Sequence, residues 1–419
     1  MPDIDNIGGI EVALLTGGAD KPYAFGLTMA LLSGVSVLDV IGNDELDCPE
    51  FRASPKVRFL NLRGDQRPNV GFISKAIRVM KYYIRLLRYS VSARPDIFHI
   101  LWNNKFEYFD RTLLMLWYKL LGKKTVLTLH NINGRKRDQT DSTLNHITLR
   151  IQYGLARHMF VHTEKMKDDL MTEFAIPARK VTVIPFGINN SVPVTKITGK
   201  EARNRLNLAN QDKTILFFGN IAPYKGLEYL VRAFKQTAND HSNYRLIIAG
   251  RPKNCDTYWS AIKREIDDEV KNGRILVRDE FIADEDIELY MKAADVLVLP
   301  YRYIYQSGVL FLGYSFGLPA LVSDVGSLRN DVIEGKTGFV FQPENPEDLG
   351  RSLDCYFSSE IYSDLDNRRA VIREYAWARN SWDIVARATL EIYSNLSRSS
   401  AGIAASENRA SAATNVRTS

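Results

Sequence analysis

Short apolar runs alternate with longer amphipathic segments through most of the chain, and this alternation constrains the fold more than any other feature. In the first half the apolar runs include Glu11–Thr16, Asp96–Leu101 and Lys124–Leu129. Helical patterns lie between the runs, for example at Lys75–Val91 and Thr143–Leu155. Runs of this length are typical of strands buried on both faces of a parallel sheet, with helices as the connections. The pattern therefore predicts an α/β protein built on parallel sheets.

A second series of apolar runs begins after the polar stretch 189–210. Its strands are predicted at 214–218, 244–249, 274–277, 295–299 and 320–322. Because the two series are similar in size, we predict two doubly wound, Rossmann-like domains. Ligands bind beyond the carboxyl ends of the strands in such sheets, so two facing domains predict an interdomain cleft.

The domain boundaries follow from the same pattern. We predict an N-terminal domain over 1–195, a C-terminal domain over 196–374, a closing helix over 375–396 and a tail over 397–419. The tail is rich in Ser, Ala, Asn and Arg and has few large apolar residues. Such a segment buries too little surface to offset its ordering entropy, so we predict that it is disordered.

Cysteine usage and charge narrow the class of protein. Cys48, Cys255 and Cys355 are far apart and form no CxxC pair, which argues against a disulfide framework or a zinc site and favours a reducing, cytoplasmic setting. The start of the chain carries acids and no apolar core, so no signal peptide is predicted, and no run approaches the length of a membrane span. The net charge of +6 indicates anionic partners: phosphates, a lipid surface or nucleic acid.

Two polar features follow strands of the first half. Gly17 and Gly18 come directly after the first strand, where glycine allows a close backbone approach to a ligand, although the GxGxxG spacing is absent. A plain tight turn is the alternative. His130 ends the strand 124–129 and is placed to hydrogen-bond a polar ligand or to transfer a proton, although a lone histidine is more often structural. The basic run 134–137 that follows is interpreted as a solvated loop.

Two features of the second half predict a phosphate site. In the segment 219–227 a glycine turn, Lys225 and a helix start come together, and helix N-termini attract anions. In the segment 305–310, Ser307 and Gly308 open another helix, whose first N–H groups suit phosphate oxygens. The alternatives are a surface lysine and simple N-capping by Ser307. Two anion sites in one domain indicate a diphosphate rather than a single phosphate.

The predicted helix at 75–94 has a basic face. Five cations recur at steps of three and four, namely Lys75, Arg78, Lys81, Arg85 and Arg88, and no acid occurs between Gln66 and Arg94. One interpretation is a packed helix with a solvated basic face, and the other is a helix that lies on anionic lipid. No nucleic-acid-binding motif accompanies the patch, so a nucleic-acid partner is not expected.

These features together resemble the GT-B glycosyltransferases, specifically the retaining family 4 or bacterial group 1 type. The resemblance spans roughly 11–396 and is carried by four segments: VIPFGINN at 183–190, GNIAPYKGLEYLVRAF at 219–234, the segment 293–327 containing YRYIYQSGVLF, and GKTGFVFQPENPEDL at 335–349. It implies that the C-terminal domain binds a nucleotide-diphosphate sugar and that the N-terminal domain binds the acceptor. The segment 375–382 resembles the start of the family's last helix, which returns to the first domain.

The resemblance also implies roles for individual residues. His130 and Lys225 match catalytic positions, the first a contact to the transferred sugar and the second a contact to the diphosphate. The resemblance gives donor-binding roles also to Gly17, Gly18, Phe281, Ile282, Ser307, Gly308 and Val309. Two further donor-binding residues are predicted from the departures described next: Asn220 at the position of a phosphate arginine, and Gln306 as a substitute contact to the sugar, with Tyr301 or Tyr305 as alternatives to Gln306. No DxD-type element stands where a metal-bridged diphosphate would need one, so no metal or other cofactor is expected.

Three positions depart from the family pattern. Asn220 replaces the usual phosphate arginine, and Ile304 and Leu312 replace two glutamates that contact the donor. The expected function is transfer of a sugar from a nucleotide-diphosphate donor to an acceptor hydroxyl, an activity of class EC 2.4. The acceptor would be lipid-linked or a glycan of the cell surface or an exopolysaccharide, with the protein at the inner face of the membrane. The alternative is a non-catalytic protein of the same fold that binds nucleotide sugar.

Overall fold

A computed structural model describes residues 9–18, 20–66, 71–138, 140–189 and 191–415. The chain forms two compact units. Unit 1 contains residues up to 133, residues 141–185 and residues from 382 onward, and unit 2 contains residues 134–140 and 186–381. The chain therefore passes from unit 1 to unit 2 after Pro185, ten residues earlier than the sequence predicted.

Unit 1 is built on a parallel sheet of seven strands in the order β3-β2-β1-β4-β5-β6-β7. The strands are β1 Glu11–Leu15, β2 Val37–Gly42, β3 Val57–Asn61, β4 Ile97–Ile100, β5 Lys124–Leu129, β6 His158–Val161 and β7 Val181–Val183. The helices are Lys21–Leu31, Pro49–Ala53, Phe72–Ser92, Glu107–Phe109, Met115–Leu120, Thr143–Leu155, Glu164–Glu173 and Trp382–Asn415, with 3-10 turns at Asp44–Leu46 and Ala178–Lys180 and a π-helical turn at Asp110–Leu114.

Unit 2 has a parallel sheet of six strands in the order β10-β9-β8-β11-β12-β13. The strands are β8 Lys213–Phe218, β9 Tyr244–Ala249, β10 Ile275–Arg278, β11 Val296–Leu299, β12 Ala320–Ser323 and β13 Gly338–Phe341. The helices are Gly134–Arg137, Gly199–Arg205, Leu227–Asp240, Asp256–Glu265, Asp267–Lys271, Asp284–Ala293, Gly308–Ser315, Leu328–Asp331, Pro346–Phe357, Glu360–Ser363 and Leu365–Asn380, with a 3-10 turn at Pro223–Lys225.

The sheet of unit 2 is buried on both faces. Along β8, Ile215 and Phe217 pack into one apolar cluster, while Leu216 and Phe218 pack into the other. Successive side chains of a strand point to opposite faces, so an uninterrupted apolar run is what a sheet covered by helices on both sides requires. The prediction of two Rossmann-like parallel α/β domains, the GT-B fold class, is confirmed.

The end of the chain differs from the prediction. The helix expected to return at 375 splits into two, since Leu365–Asn380 belongs to unit 2 and Trp382–Asn415 belongs to unit 1. The second helix runs on to Asn415, whereas a disordered tail was predicted from 397. Alanine has the highest intrinsic helix propensity, and the segment 401–413 contains several alanines that the prediction underweighted. The last four residues of the tail, and 1–8 at the other end, lie outside the described residues.

Candidate functional site

The turn after β8 positions Lys225 in unit 2. The chain forms a 3-10 turn at Pro223–Lys225 and enters the helix Leu227–Asp240 through Gly226, whose φ is 63°. Only glycine adopts this left-handed conformation without strain. A Cβ at this position would also lie 2.1 Å from the carbonyl oxygen of Pro300, after β11. Gly226 thus lets the turn pack against the neighbouring strand end.

Lys225 is buried rather than a surface lysine. Lys225 is 6% exposed, and its Nζ lies 5.4 Å from the centroid of the Tyr301 ring. Burial, followed by repulsion from Arg137 and Lys253, lowers the pKa of Lys225 from 10.5 to about 7. In the part of the chain that the structure describes, Lys225 forms no ion pair with a carboxylate. A buried cation with cationic neighbours is suited to an anionic ligand.

The start of the helix Gly308–Ser315 lies beside this lysine. The Cβ position of Gly219 is 3.1 Å from Lys225 Nζ and 3.3 Å from Val309 Cγ2, so both residues border the same glycine. N–H groups in the first turn of a helix lack partners within the helix, and this applies to the amides of Gly308 and Val309. The structure thus brings the two predicted anion-binding features together.

Ser307 does not cap this helix with its side chain. It occupies the N-cap position, but no cap hydrogen bond forms. Its hydroxyl instead donates to the Tyr301 hydroxyl at 3.4 Å, and the residue is buried. The alternative interpretation of Ser307 as a side-chain N-cap is therefore wrong.

The other predicted donor-binding residues of unit 2 follow β8, β10 and β11. Asn220 is exposed, and Ile282 packs against the apolar core. Phe281 is 67% exposed, with the guanidinium of Arg251 5.5 Å from its ring centroid. Gln306 has a buried Oε1 with no hydrogen-bond partner among the described residues. Gln306 is therefore the one of these residues with an unsatisfied buried acceptor.

A cavity of about 670 Å³ opens in unit 2 and is lined in part by Pro223 and Tyr224, which belong with Lys225 to the same 3-10 turn. Among its lining residues are Asn220, Lys253 and Arg137, and the guanidinium carbon of Arg137 lies 4.3 Å from the centroid of the Tyr224 ring. The sequence predicted a solvated loop for 134–137, and this is wrong for Arg137, which is half-buried. Its position shortly after the end of β5 was the signal that could have identified it.

Positions 304 and 312 are apolar in structure as well as in sequence. Leu312 is buried in the apolar cluster on one face of the sheet of unit 2, and Ile304 packs against that cluster. Neither side chain offers a hydrogen bond to a ligand. The cavity's polar side chains come from other segments, including Arg302 and Glu344, which form an ion pair with an Nε–Oε2 distance of 3.1 Å.

The glycine loop of unit 1 is a tight turn. Gly17 and Gly18 have φ values of 61° and 72°, and a Cβ on Gly17 would lie 2.5 Å from the carbonyl oxygen of Trp102. Arg63 donates a hydrogen bond from Nη1 to the carbonyl oxygen of Gly17. The loop is thus packed between the segments that follow β3 and β4.

His130 lies in an aromatic cluster of unit 1. Its ring stacks on Trp102 with centroids 4.3 Å apart, and Tyr23 meets it edge-on at 4.5 Å. His162 Nε2 lies 3.2 Å from His130 Nδ1. Burial, followed by the imidazoles of His162 and His99, holds the pKa of His130 well below its usual value of 6.5. The ring is therefore neutral near pH 7 and suited to hydrogen bonding rather than to acid catalysis.

The helix Phe72–Ser92 presents three faces. Tyr82, Tyr83 and Leu86 are buried against unit 1. The predicted cations lie on a second face, where Lys75, Lys81, Arg85 and Arg88 are exposed and Arg78 is half-buried. A third face carries exposed apolar side chains, namely Ile73, Ile77, Met80, Ile84 and Val91. The sequence analysis identified the basic face and missed this apolar stripe.

The described part of the chain offers neither a metal-binding cluster nor a membrane-spanning helix. The described residues contain no group of three or more His, Cys, Asp or Glu side chains arranged to hold a metal ion. Within the same residues, no helix combines the length and the apolar content needed to cross a bilayer.

Family models match both halves of the chain. The model described as Glycosyltransferase Family 4 matches 9–192, and the model described as Glycosyl transferases group 1 matches 212–358. An uncharacterized glycosyltransferase of Methanocaldococcus jannaschii is 27% identical over 237 residues, which are 55% of this chain and 58% of that protein. The mannosylfructose-phosphate synthase of Agrobacterium fabrum is 26% identical over 48% of this chain and 46% of its own length. The chain spans about half the length of the curated relatives it matches.

Solved structures show the same fold at low identity. Sucrose-phosphate synthase of Thermosynechococcus elongatus superposes with a TM-score of 0.72 at 19% identity, covering 93% of this chain and 100% of that one. HepE of Anabaena in complex with UDP-glucose superposes with a TM-score of 0.67 at 15% identity, covering 93% and 99%.

Proposed function

The chain belongs to the family 4, group 1 glycosyltransferases, and from this premise we propose that it transfers a sugar from a nucleotide-diphosphate donor to an acceptor hydroxyl. The observation that carries the proposal is the buried Lys225 beside the start of the helix Gly308–Ser315. One ammonium and a set of helix N-terminal amides are complementary to a diphosphate. The neighbouring structure of HepE with UDP-glucose supports a donor of this class.

Lys225 and the start of the helix Gly308–Ser315 are suited to stabilising the leaving group of the reaction. Negative charge develops on the diphosphate as the bond to the sugar breaks, and Lys225 with the amides of Gly308 and Val309 would stabilise it. Arg137 and Lys253, which line the adjacent cavity, supply positive charge where Asn220 lacks it. In this proposal the unsatisfied Oε1 of Gln306 accepts a hydrogen bond from a donor hydroxyl.

Unit 1 contributes the neutral imidazole of His130 and the glycine loop to the proposed function. A neutral imidazole can donate or accept a hydrogen bond with a sugar hydroxyl. We extend the proposal to retention of the anomeric configuration and to catalysis without a metal, as the family resemblance implies. The anomer of the first product, read by proton NMR, and the transfer rate in excess EDTA test these two points.

A thermal-shift screen against UDP-, GDP- and TDP-sugars tests the donor class. A ligand that binds only the folded state raises the melting temperature, so the matching nucleotide is expected to give a shift that grows with its concentration. The stabilising donor, radiolabelled in the sugar, is then incubated with a membrane and glycan extract. Label is expected to move into acceptor with the wild type and to stay in the donor with Lys225→Met.

The same experiment separates the alternative function. Donor binding without transfer to any acceptor fraction would indicate a non-catalytic protein that binds nucleotide sugar, an outcome that Ile304 and Leu312 make worth testing. The absence of any nucleotide-dependent shift would contradict the donor proposal altogether.

The helix Phe72–Ser92 supports the second part of the proposal, that the acceptor belongs to a cell-surface glycan or exopolysaccharide assembled at a membrane. Its apolar stripe is exposed, with Ile73 at 73% and Met80 at 58%, and the basic face borders it. A helix with an apolar stripe beside cations and no acids is suited to the interface of an anionic bilayer. In this proposal the protein is cytoplasmic and peripheral at the inner face of the membrane.

Charge reversal on this helix tests the membrane contact. Lys81, Arg85 and Arg88 changed together to Glu are expected to abolish pelleting with vesicles of phosphatidylglycerol and phosphatidylcholine. The matched control reverses three exposed cations of unit 2, Lys263, Arg264 and Lys271, and should pellet like the wild type. If the helix variant also pellets like the wild type, the membrane contact is contradicted and the interpretation of a solvated basic face is favoured.

A further inference from the structure

Unit 1 contains a second cavity that has no role in donor binding as proposed above. It measures about 250 Å³ and lies among residues of the helix Phe72–Ser92 and of the segments that follow β3 and β4. One of these residues, Arg63, contacts the glycine loop. Its lining includes the cations Arg63, Lys75, Arg78 and Lys105, together with Tyr82 and Asn104. We refer to it below as the basic pocket.

The basic pocket has a strong excess of positive charge. Its described lining contains four cations and no Asp or Glu. In the described ranges of the chain, none of these four cations forms an ion pair with a carboxylate. Arg78 donates to the backbone carbonyl of Asp65 at 2.6 Å, which orients its side chain without neutralising it. Like charges gathered in one concave site repel one another until an anion binds.

Arg63 is held in place at the wall of this pocket. Its guanidinium lies 5.1 Å from the centroid of the buried Tyr82 ring. Its Nη1 donates to the carbonyl oxygen of Gly17 and, at 3.2 Å, to Asn104 Oδ1, which also accepts a hydrogen bond of 2.6 Å from the Tyr82 hydroxyl. Both hydrogen bonds that Arg63 makes with described residues leave from Nη1, and among those residues its Nε and Nη2 donors have no partner. A guanidinium fixed in this way suits an oxyanion with several oxygens.

The strand order places the basic pocket where ligands bind in open α/β sheets. In the order β3-β2-β1-β4, successive connections reverse direction between β1 and β4. The pocket is lined by residues that follow β3 and β4, and its Arg63 donates to the carbonyl oxygen of Gly17, which follows β1. Such a switch point opens a crevice because the connections on its two sides run to opposite faces of the sheet.

We propose that the basic pocket binds a phosphate group of the acceptor. The inference rests on the proposed function, in that the ligand is the molecule that receives the sugar. Four cations favour a phosphate ester over a neutral sugar, and about 250 Å³ accommodates the phosphate while the rest of the acceptor extends out of the pocket. The phosphate belongs either to a water-soluble phosphosugar or to the head group of a lipid-linked acceptor.

Paired variants test the pocket without disturbing the fold. Lys75 and Lys105 are exposed, so Lys75→Glu with Lys105→Glu is expected to fold normally. The matched control, Lys119→Glu with Arg150→Glu, makes the same change of charge at exposed positions of unit 1 outside the pocket. Fructose 6-phosphate and inositol 1-phosphate serve as soluble probes, fructose as the neutral one, and vesicles of phosphatidylinositol in phosphatidylcholine as the lipid probe.

Titration by calorimetry and by vesicle sedimentation gives the readout. Wild type and control are expected to bind a phosphorylated probe and not fructose, and the pocket variant is expected to bind it at least about tenfold more weakly, since charged hydrogen bonds are lost. Binding of the soluble esters identifies a phosphosugar. The basic face of Phe72–Ser92 is expected to bind any anionic vesicle, so a lipid head group is identified only where phosphatidylinositol vesicles bind more tightly than phosphatidylglycerol vesicles of equal charge and the pocket variant loses that difference. Equal loss in the control, or no binding of any phosphate probe by the wild type, would overturn the proposal.

Measuring donor binding in the same variants distinguishes failure of the pocket proposal from failure of the proposed function. The nucleotide-sugar thermal shift is expected to be unchanged in the pocket variant, because Lys75 and Lys105 belong to unit 1 and Lys225 belongs to unit 2. A wild type that binds phosphate probes but no nucleotide sugar would contradict the proposed function and leave the pocket as an anion site. The opposite result would contradict the pocket alone.

Discussion

Replacing Lys225 with methionine is expected to abolish sugar transfer and to raise the melting temperature of the unliganded protein. Loss of one preorganised charge at a developing anion typically costs about 100- to 1,000-fold in rate. The stability change has the opposite sign because the ammonium is buried and forms no ion pair with a carboxylate among the described residues, and methionine fills a similar volume without the desolvation cost. Turnover within about tenfold of the wild type would contradict the diphosphate role of Lys225.

The lowered pKa gives this prediction a pH dependence. The folded-state pKa of Lys225 is about 7, below its ordinary 10.5, so the unfolded state binds more protons between these values. Lys225 therefore makes the unliganded protein less stable toward pH 7 than toward pH 10, and Lys225→Met should remove that contribution. Donor binding needs the ammonium, so affinity should fall as the pH rises through 7, and Lys225→Arg should flatten the fall. Calorimetry in buffers of different ionisation enthalpy should detect proton uptake on binding, with Lys263→Met, at an exposed position of unit 2 outside the cavity, as the control that retains it.

Replacing Gly226 with alanine is expected to destabilise unit 2 far more than replacing Gly335 with alanine. Both glycines have a positive φ, 63° and 72°, so both variants incur the strain of a left-handed alanine, about 1 kcal/mol. Only at Gly226 does the new Cβ meet backbone, 2.1 Å from the Pro300 carbonyl oxygen, whereas nothing lies within 4 Å at Gly335. The added clash should bring the loss for Gly226→Ala to about 3–5 kcal/mol.

The Gly226 variant should also lose donor affinity, because the turn that carries Lys225 has to move. The backbone N–H of Arg302 donates to the carbonyl of Tyr224 at 2.8 Å, so a shift at Pro300 reaches the turn directly. Denaturant unfolding of both variants gives the stability difference, and the nucleotide-sugar thermal shift gives the affinity. Equal stability of the two variants would show that the turn tolerates the added methyl group.

The sequence predicted most of the strands because buried parallel strands are uninterrupted apolar runs. Lys124–Leu129 and Tyr244–Ala249 match the observed β5 and β9 at both ends. In unit 1 the sequence missed β2 and β3, each of which carries a charged residue. In β2 the run is interrupted by Asp39, whose carboxylate is buried and accepts hydrogen bonds from Arg58 of β3 and from Tyr89. Only the tertiary pairing makes such a residue compatible with a buried strand.

The candidate site likewise contains residues that could be predicted from the sequence and residues that could not. Lys225 and the segment 307–309 could be predicted because each belongs to a local motif, a helix start after a strand. Arg137, Lys253 and the four cations of the basic pocket could not, because they come from separate segments that only the folded chain brings together. The basic face of Phe72–Ser92 could be predicted from the spacing of its cations along the sequence. Which apolar residues remain exposed depends on how the helix packs.

The course of the chain through unit 1 bears on how the protein is made. The Trp382 ring, far along the chain, packs against Tyr23 with centroids 5.1 Å apart, and the Tyr393 hydroxyl lies 2.5 Å from Nδ1 of His99 in the middle of the sheet. On a ribosome, which releases the N-terminal end first, unit 1 cannot be completed until residues 382–393 have emerged. Unit 2 is all but continuous in sequence and can mature earlier. Because Tyr23 also meets the ring of His130, the aromatic cluster around His130 reaches its final form in the last stage of synthesis.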